Sequence, residues 1–255
     1  MLELYHWEPT FLSGEVLIAL AEKHLPFESR YLDLLELEQH EPEFLRLNPS
    51  GGVPVLVHDG RVITECGLIL EYLEDAFPQP SLRPEPLVAQ YQTRFWLKYV
   101  AERMAPYVSL LGWRHLARPV LAGASVERAK HTIERLPRER RDLWRKALEE
   151  RCPGEEIALA RESLSFAALK LEETLGGAPW LAGNSYSLAD IALAPTVRAM
   201  RVVVPDMMSP LQSPRTLAWL GRIEARPAVR EALARARAAA PERQFAPGPE
   251  PPRWG

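Results

Sequence analysis

The chain has 255 residues, of which 47% are hydrophobic and 25% are charged, a composition typical of a globular protein with a core of ordinary size. The formal net charge of −3 argues against nucleic acid or an anionic membrane as the main partner. The sequence has neither an apolar run of about 20 residues, which a membrane-spanning helix needs, nor a basic and apolar leader. We therefore expect a cytoplasmic protein.

The cysteine content indicates a reducing compartment and no metal site. Cys66 and Cys152 are the two cysteines of the sequence, and they do not stand at CxxC spacing. No Cys and His residues follow the spacing of zinc ligands. Disulfides are rare inside cells, so isolated cysteines fit an intracellular protein that binds no metal ion.

The first 80 residues predict a layer of strands covered by helices. The clearest signal is PVLVHDGRVIT, in which two apolar runs are joined by Asp59-Gly60, a pattern typical of a β-hairpin. In chain order we predict strands at 2–5 and 26–33, a helix following Ser13, a short helix in EQHEPEFLRLN, the hairpin, and a helix at 66–77.

The remainder of the chain predicts helices. Residues 86–113 have a long amphipathic pattern with a kink expected at Pro106, and RVVV at 201–204 is a candidate strand. Segment 127–151 has nine Lys and Arg against six Asp and Glu. Because the two signs interleave, it indicates a solvated helical face rather than a nucleic-acid surface. Further helices are predicted at 156–175, 187–200, 214–224 and 227–239.

Several motifs carry a family resemblance. NPSGGVPVLVHDGRVITECGLILEYLEDAFP resembles the glutathione-binding core of the glutathione transferases, and NSYSLADIALAP resembles a helix start in the C-terminal domain of that family. The opening LELYHWEPTFLSGEVLIALAEKHLPFE and the segments YQTRFWLKYVAERMAPYVSLLGW and LPRERRDLWRKALEE are similar to one branch, the glutathione-dependent beta-aryl etherases of lignin-degrading bacteria.

The resemblance implies a cytosolic glutathione transferase architecture, in which a thioredoxin-like α/β N-terminal domain precedes an all-α C-terminal domain. It also implies glutathione as the cofactor and a homodimer as the assembly. The expected boundaries are 1–80 for the glutathione-binding domain, 81–86 for a linker, 87–240 for the helical substrate domain and 241–255 for a Pro-rich tail, which we expect to be disordered.

The resemblance assigns the ends of glutathione to particular residues. It implies a cis bond at Val53-Pro54 that presents the Val53 backbone to the tripeptide, the alternative being an ordinary trans proline at a strand start. Glu65 and Cys66 would bind the γ-glutamyl end. They precede a helix whose free N–H groups and dipole favour a carboxylate.

Two positions depart from the family pattern. Cys66 replaces the usual serine, either as a tolerated small residue or as a thiolate that could form a mixed disulfide with glutathione. Gly52 stands where relatives often carry Lys or Gln to reach the glycyl carboxylate. That contact could pass to Gln39 or His40, although His40 could equally be a solvent-facing helix residue.

Ser13 is the candidate catalytic residue. We place it between the first strand and the first helix, where its hydroxyl and the helix N–H groups could stabilise the glutathione thiolate and lower a thiol pKa of about 8.5. A plain helix N-cap is the alternative, since serine is a favoured cap. Tyr5 lies within the strand, and Thr10 is a weaker candidate.

The helical half offers a structural motif and a group of aromatic residues. Ser187 and Asp190 form an S-x-x-D capping box that serves folding rather than chemistry. Aromatic side chains suit the stacking of an aromatic substrate, although at helical spacing they are more often core residues. The candidates for the second-substrate pocket are Tyr99, Tyr107, Trp113 and Trp144.

These features together predict a glutathione-dependent enzyme. The glutathione thiolate would attack an electrophilic carbon of an aromatic or hydrophobic substrate and displace a leaving group, which is a phenol in the etherase case. Another glutathione enzyme, such as a peroxidase, an isomerase or a dehalogenase, is an alternative. So is a non-enzymatic relative that binds a ligand or a partner protein, a reading favoured by Gly52 and Cys66.

Overall fold

The structure is a computed structural model that describes residues 1–114, 134, 141 and 154–245. Strands and helices alternate at first, and the described residues from 87 onward form helices joined by turns, so the expected fold class is confirmed. The strands are β1 (Leu2–His6), β2 (Glu28–Tyr31), β3 (Val55–His58) and β4 (Arg61–Ile63). The helices are α1 (Phe11–Glu22), α2 (Pro42–Leu47), α3 (Cys66–Ala76), α4 (Leu87–Tyr99), α5 (Ala105–Gly112), α6 (Gly154–Gly177), α7 (Leu188–Val203), α8 (Pro214–Glu224) and α9 (Pro227–Leu233).

The strands of the described residues form a mixed sheet in the order β2-β1-β3-β4. Strand β1 runs parallel to β2 and antiparallel to β3, which pairs with β4. At the turn between β3 and β4, Asp59 and Gly60 have φ angles of 47° and 79°, as a tight two-residue hairpin requires. The predicted hairpin is therefore confirmed, and β1 is an inner strand whose C-terminal end leads directly into the turn before α1.

Helix α1 is buried between the sheet side and the helical half. Val16, Leu17 and Leu20 are almost fully buried in a core that α3 and α7 also enter. At Gly14 the backbone of α1 packs closely against Pro9 and Pro195. A Cβ at this position would lie 3.0 Å from the Pro9 carbonyl oxygen and 3.2 Å from the Pro195 ring. The backbone of the first turn of α1 is thus fixed by packing from two sides.

A π-helical turn, Val100–Met104, connects α4 to α5 immediately before Pro106. Proline cannot donate a backbone hydrogen bond and its ring crowds the preceding turn. A wider turn is one way in which a helix accommodates this residue. The sequence predicts a kink at Pro106, and the local change in the helix takes this π-helical form.

Three sequence predictions for the C-terminal part of the chain are wrong, the last of them for residues 241–245. The candidate strand at 201–204 belongs to the end of α7, where burial of Val203 and Val204 in the helical core outweighs their strand propensity. The predicted helix 227–239 stops at Leu233. The N–H groups of residues 235 and 236 then bind carbonyl groups three residues back, and those of residues 237 and 238 bind the Glu8 carboxylate. In the expected disordered tail, the part described includes a 3₁₀ turn, Pro241–Arg243, and a buried Phe245.

A buried ion pair between Lys23 and Glu74 stabilises the loop that joins α3 to α4. Lys23 Nζ lies 2.7 Å from Glu74 Oε2, and their side chains are 0% and 3% exposed. The ammonium group also donates to the carbonyl oxygens of Phe77 at 2.7 Å and Pro80 at 3.0 Å, while Glu74 accepts from the Leu82 N–H. Both charges are therefore neutralised and hydrogen-bonded, as buried charges must be.

The capping box at the start of α7 is confirmed. Ser187 Oγ accepts from the Ala189 N–H at 3.3 Å, and the Asp190 carboxylate accepts from the Ser187 N–H at 2.9 Å. Asp190 also accepts from the Leu181 N–H at 3.0 Å and from Trp219 Nε1 at 2.8 Å. The box therefore joins α7 to α8 and to the preceding loop.

The Asp190→Asn substitution tests this network, because it places an NH₂ group against N–H donors. We expect a loss of about 1–3 kcal/mol in the free energy of unfolding. Burial raises the pKa of Asp190 to about 6. A raised pKa means that this carboxyl contributes stability below about pH 4, which is lost as the pH rises through about 6. The variant should lack that loss, roughly 1 kcal/mol between pH 5 and pH 7.

Urea unfolding at both pH values measures these two effects. Asp206→Asn is a matched control, because Asp206 pairs with Arg161 at the surface and its side chain is 59% exposed. It should change stability by no more than about 1 kcal/mol. Equal pH dependence in the wild type and in Asp190→Asn would contradict the proposed titration.

Candidate functional site

The first turns of α1 and α3 meet at one end of the sheet. The thiol of Cys66, the first residue of α3, donates to the carbonyl oxygen of Leu12 in α1 at a distance of 3.6 Å. Ser13 follows Leu12 directly. The structure thus brings together the candidate catalytic residue and one of the candidate glutathione-binding residues.

Ser13 lies inside the first turn of α1 and not before the helix, so its predicted position as an N-cap is wrong. The helix begins at Phe11, with Thr10 as the N-cap residue. Phe11 has a φ of 52°, a left-handed conformation that is rare for a bulky residue. This turn of the backbone starts the helix three residues earlier than the sequence pattern indicates.

The Ser13 hydroxyl is held by the turn that follows β1. Ser13 is 4% exposed, and its Oγ accepts a hydrogen bond from the Trp7 N–H at 3.1 Å. Within the described ranges, we find no hydrogen bond that this hydroxyl donates. Its proton is thus available to a ligand. Sequence reasoning missed Trp7, because a contact through the backbone N–H leaves no mark on the residue type.

Glu65 occupies the N-cap position of α3 in a strained conformation. Its φ is 67°, in the left-handed region that favours glycine. Such conformations persist where the surrounding structure imposes them, and they cluster at ligand sites. The side chain is exposed, while Cys66 beside it is half-buried. The N–H groups of the first turn of α3 and the Glu65 carboxylate therefore lie at the surface together.

Gln39 and His40 lie in a 3₁₀ turn, Glu38–His40, and both are buried. The alternative of a solvent-facing His40 is therefore wrong, because the left-handed Leu37 directs the chain inward before this turn. The Gln39 side-chain oxygen is buried without a hydrogen-bond partner among the residues that the structure describes. A buried amide oxygen without a partner is costly, so it favours a ligand or a water molecule there.

The segment before β3 contains the predicted cis peptide bond between Val53 and Pro54, which is confirmed. At Gly52 the carbonyl oxygen accepts from Asn48 Nδ2 at 2.7 Å, and the N–H donates to Ser50 Oγ at 3.3 Å. A Cβ at Gly52 would lie 3.3 Å from Ser50 Oγ and 3.8 Å from Asn48 Nδ2. A side chain here therefore needs only a small shift of the serine hydroxyl.

The candidate aromatic residues differ in environment. Trp113 is 2% exposed and belongs to the core, whereas Tyr99 and Tyr107 are half-buried beside it. The Tyr99 ring stacks on Phe95 with centroids 5.6 Å apart, and burial raises the pKa of its hydroxyl. Trp144 lies outside the described residues, as does most of the charged segment 127–151.

Neither a metal centre nor a membrane span is found in the residues that are described. Across those ranges, no group of three or more His, Cys, Asp or Glu could hold a metal ion. No helix in the same ranges combines the length and apolar character that crossing a membrane requires.

The sequence matches known families in both halves. A family model described as glutathione S-transferase, N-terminal domain matches residues 4–81, and one described as glutathione S-transferase, C-terminal domain matches residues 155–235. Among curated proteins, the chain is 36% identical over 237 residues to protein LigF of Sphingobium sp. strain NBRC 103272 / SYK-6, a match that covers 90% of this chain and 92% of that protein.

Solved structures give the same result. The crystal structure of beta-etherase LigF from Sphingobium sp. strain SYK-6 superimposes with a TM-score of 0.86 and 34% identity, covering 92% of this chain and 99% of that one. A glutathione transferase homologue from sulfitobacter, crystallised with bound glutathione, superimposes with a TM-score of 0.65 and 25% identity, covering 91% of this chain and 96% of that one.

Proposed function

The chain belongs to the glutathione S-transferase family, whose co-substrate is glutathione, and from that premise we propose that it is a glutathione-dependent beta-aryl etherase. The observation that carries this proposal is the likeness to LigF, which extends over 90% of the chain. The likeness therefore spans both the α/β half and the helical half. Ser13 directly follows Leu12, which contacts α3, and its hydroxyl can donate a hydrogen bond to a thiolate.

The proposed reaction is a substitution at carbon. The glutathione sulfur, as a thiolate, attacks the carbon that carries the aryl ether oxygen. A C–S bond forms while the C–O bond breaks, and the electron pair leaves on the phenolate, which then takes up a proton. A phenol has a pKa of about 10, so the phenolate is an adequate leaving group in water. The reaction needs no oxidant or reductant.

In this proposal Ser13 donates its proton to the thiolate as a hydrogen bond and forms no covalent bond itself. Such a bond to a charged acceptor favours ionisation and so lowers the thiol pKa. The Val53 backbone beside Pro54, the Glu65 carboxylate and the first turn of α3 at Cys66 would hold the tripeptide. Holding both reactants in line supplies much of the rate.

We assign the glycyl end of glutathione to the buried pair Gln39 and His40. The burial of both side chains supports a ligand there, and the Gln39 NH₂ and a His40 ring N–H are groups that can donate to a carboxylate. For the aromatic substrate, Tyr99 and Tyr107 remain the candidates. The burial of Trp113 favours a supporting role in the core.

The cellular setting is also part of the proposal. We place the protein in the cytoplasm, with residues 1–80 as the glutathione domain, 87–240 as the substrate domain, and detoxification or use of aryl ethers as its role.

Exposed apolar side chains on neighbouring elements support a homodimer. Sedimentation velocity can test this assembly. The side chains are Val62 of β4, Leu68 of α3, and Leu87, Val88 and Tyr91 of α4.

A direct test combines binding and product analysis. The protein should be retained on immobilised glutathione, and the bound thiol should show thiolate absorbance at neutral pH. With a model aryl ether of a chromogenic phenol, we expect one phenol and one glutathione thioether for each ether consumed. Retention without ether cleavage, together with turnover of a hydroperoxide, a halide or a cis-enone, would indicate one of the other glutathione enzymes. Absence of both retention and thiolate would indicate a non-enzymatic binding protein.

The Gly52→Lys substitution should strengthen glutathione binding. The lysine ammonium would supply a charge-assisted hydrogen bond to the glycyl carboxylate, and the space around Gly52 admits the side chain. We expect a Kd for glutathione about ten-fold lower, measured by calorimetry. Gly52→Met is the matched control, with similar length and no charge. The same gain in both variants, or in neither, would refute the assignment of this position.

A further inference from the structure

Glu8 is a buried carboxylate that the proposed reaction does not use. It lies two residues after the end of β1 and is 2% exposed. From the described residues it accepts hydrogen bonds from the Tyr31 hydroxyl at 2.7 Å and from the N–H groups of Arg237 and Ala238 at 3.1 Å each. A buried carboxylate is unfavourable unless donors of this kind surround it, so the arrangement suits glutamate in particular.

Two of these donors come from the other end of the chain. We call residues 235–245 the C-terminal segment; it begins after α9 and lies against the turn that follows β1. The Arg237 guanidinium also stacks over the Tyr31 ring, 3.9 Å from its centroid. At the far end of the segment, Phe245 is buried against Gly112, where no side chain larger than hydrogen fits. The segment is thus anchored at both of its ends.

The turn that Glu8 fastens also carries the hydrogen-bond donor for Ser13. Trp7, whose N–H binds Ser13 Oγ, lies between His6 and Glu8. His6 Nδ1 lies 2.6 Å from the Trp7 carbonyl oxygen, and Nε2 lies 2.7 Å from Ser29 Oγ. Because a carbonyl only accepts, Nδ1 carries the proton and Nε2 accepts from the serine. Both neighbours of Trp7 are therefore fixed by their side chains.

We propose that Glu8 is a positioning residue, which fastens the turn after β1 to the C-terminal segment and thereby keeps the Trp7 N–H directed at Ser13 Oγ. A hydroxyl that accepts one hydrogen bond from a fixed donor can direct its own proton only along the remaining directions. The orientation of the Ser13 proton toward the glutathione thiolate thus depends on Glu8. This inference rests on the proposed function, in which Ser13 stabilises that thiolate.

The Glu8→Gln variant of the full-length protein tests the inference. An NH₂ group would replace one of two acceptor oxygens and face a backbone N–H. We expect the bound glutathione thiol pKa, followed by thiolate absorbance against pH, to rise toward that of free glutathione. The kcat at neutral pH should fall about three- to ten-fold, with little change in the KM for glutathione. A purely structural role would lower stability and leave the thiol pKa unchanged.

Glu22→Gln is the matched control. Glu22 is also a buried carboxylate that binds the C-terminal part of the chain, through Arg226 at 2.5 Å and 2.8 Å, but it stands at the opposite end of α1 from Ser13. This variant should lose stability and keep the thiol pKa of the wild type. A double variant, Glu8→Gln with Ser13→Ala, should be no worse in kcat than Ser13→Ala alone, because Glu8 acts through Ser13.

The possible results separate this inference from the proposed function. If Ser13→Ala raises the thiol pKa and Glu8→Gln does not, the positioning role is wrong and the function stands. If Ser13→Ala itself has no effect, both the role of Ser13 and that of Glu8 are refuted, while product formation still reports on the function. Additive losses in the double variant would also refute the inference. Should Glu8→Gln fail to fold, Tyr31→Phe, which removes one donor, must raise the thiol pKa by a smaller amount.

Discussion

The Ser13→Ala substitution is expected to lower kcat at neutral pH by about 10- to 100-fold, the value of one hydrogen bond to a charged acceptor. The Ser13 Oγ accepts a hydrogen bond from the Trp7 N–H, so the hydroxyl proton can be donated to a ligand. Alanine retains the helix but removes the donor. The bound thiol pKa should therefore rise by about one to two units, while the affinity for glutathione, which depends mainly on other residues, changes little.

Thr10→Ala is the matched control for this experiment. Thr10 also has a buried hydroxyl at the start of α1, and its Oγ has no hydrogen-bond partner among the described residues. Loss of that hydroxyl should change kcat by less than about three-fold. If Thr10→Ala reduced turnover and Ser13→Ala did not, the threonine would be the group that stabilises the thiolate. Thiolate absorbance and steady-state kinetics at several pH values distinguish these results.

The Lys23→Met substitution is expected to destabilise the protein by about 3–5 kcal/mol, because it leaves Glu74 as a buried charge without its partner. The methionine fills the same volume, so the effect measures lost charge and hydrogen bonds rather than a cavity. The carbonyl groups of Phe77 and Pro80 also lose their donor. Urea unfolding measures the change, with the midpoint falling and the slope preserved if unfolding stays cooperative.

A double substitution, Lys23→Met with Glu74→Leu, provides the control. Replacement of a buried ion pair by apolar side chains of similar volume is often neutral, so the double variant should recover most of the stability. The exposed pair Lys98 and Glu102 offers a further comparison, since the lysine is 71% exposed and Lys98→Met should cost less than about 1 kcal/mol. A Lys23→Met variant as stable as the wild type would show that water or structural relaxation neutralises Glu74.

Features of both halves could be predicted from the sequence where their signals are local. The hairpin depends on two neighbouring residues, Asp59 and Gly60, that adopt left-handed angles readily. The capping box depends on Ser187 and Asp190, which are three residues apart. In each case the residues that determine the geometry lie within one turn of each other, so no knowledge of the tertiary structure is needed.

The features that could not be predicted depend on distant residues. The start of α1 moves to Phe11 because packing of Gly14 against Pro9 and Pro195 fixes the backbone there. The burial of His40 follows from the path of the chain after Leu37. At the active-site candidate, Ser13, Glu65 and Cys66 were predicted from a resemblance. The Trp7 donor could not be predicted because it is a backbone N–H group, and the contacts of Glu8 could not because they join residues 229 and 230 positions apart.

The contact between Glu8 and Ala238 joins positions 230 residues apart, and this has a consequence for synthesis of the protein. At ribosomal rates of 5–20 residues per second, about 10–50 s pass between translation of the first residue and translation of the second. During that interval the α/β half can collapse around its own strands, yet the turn before Ser13 lacks two of its anchors. We therefore expect the turn before Ser13 to be completed only after residues 237 and 238 have been translated.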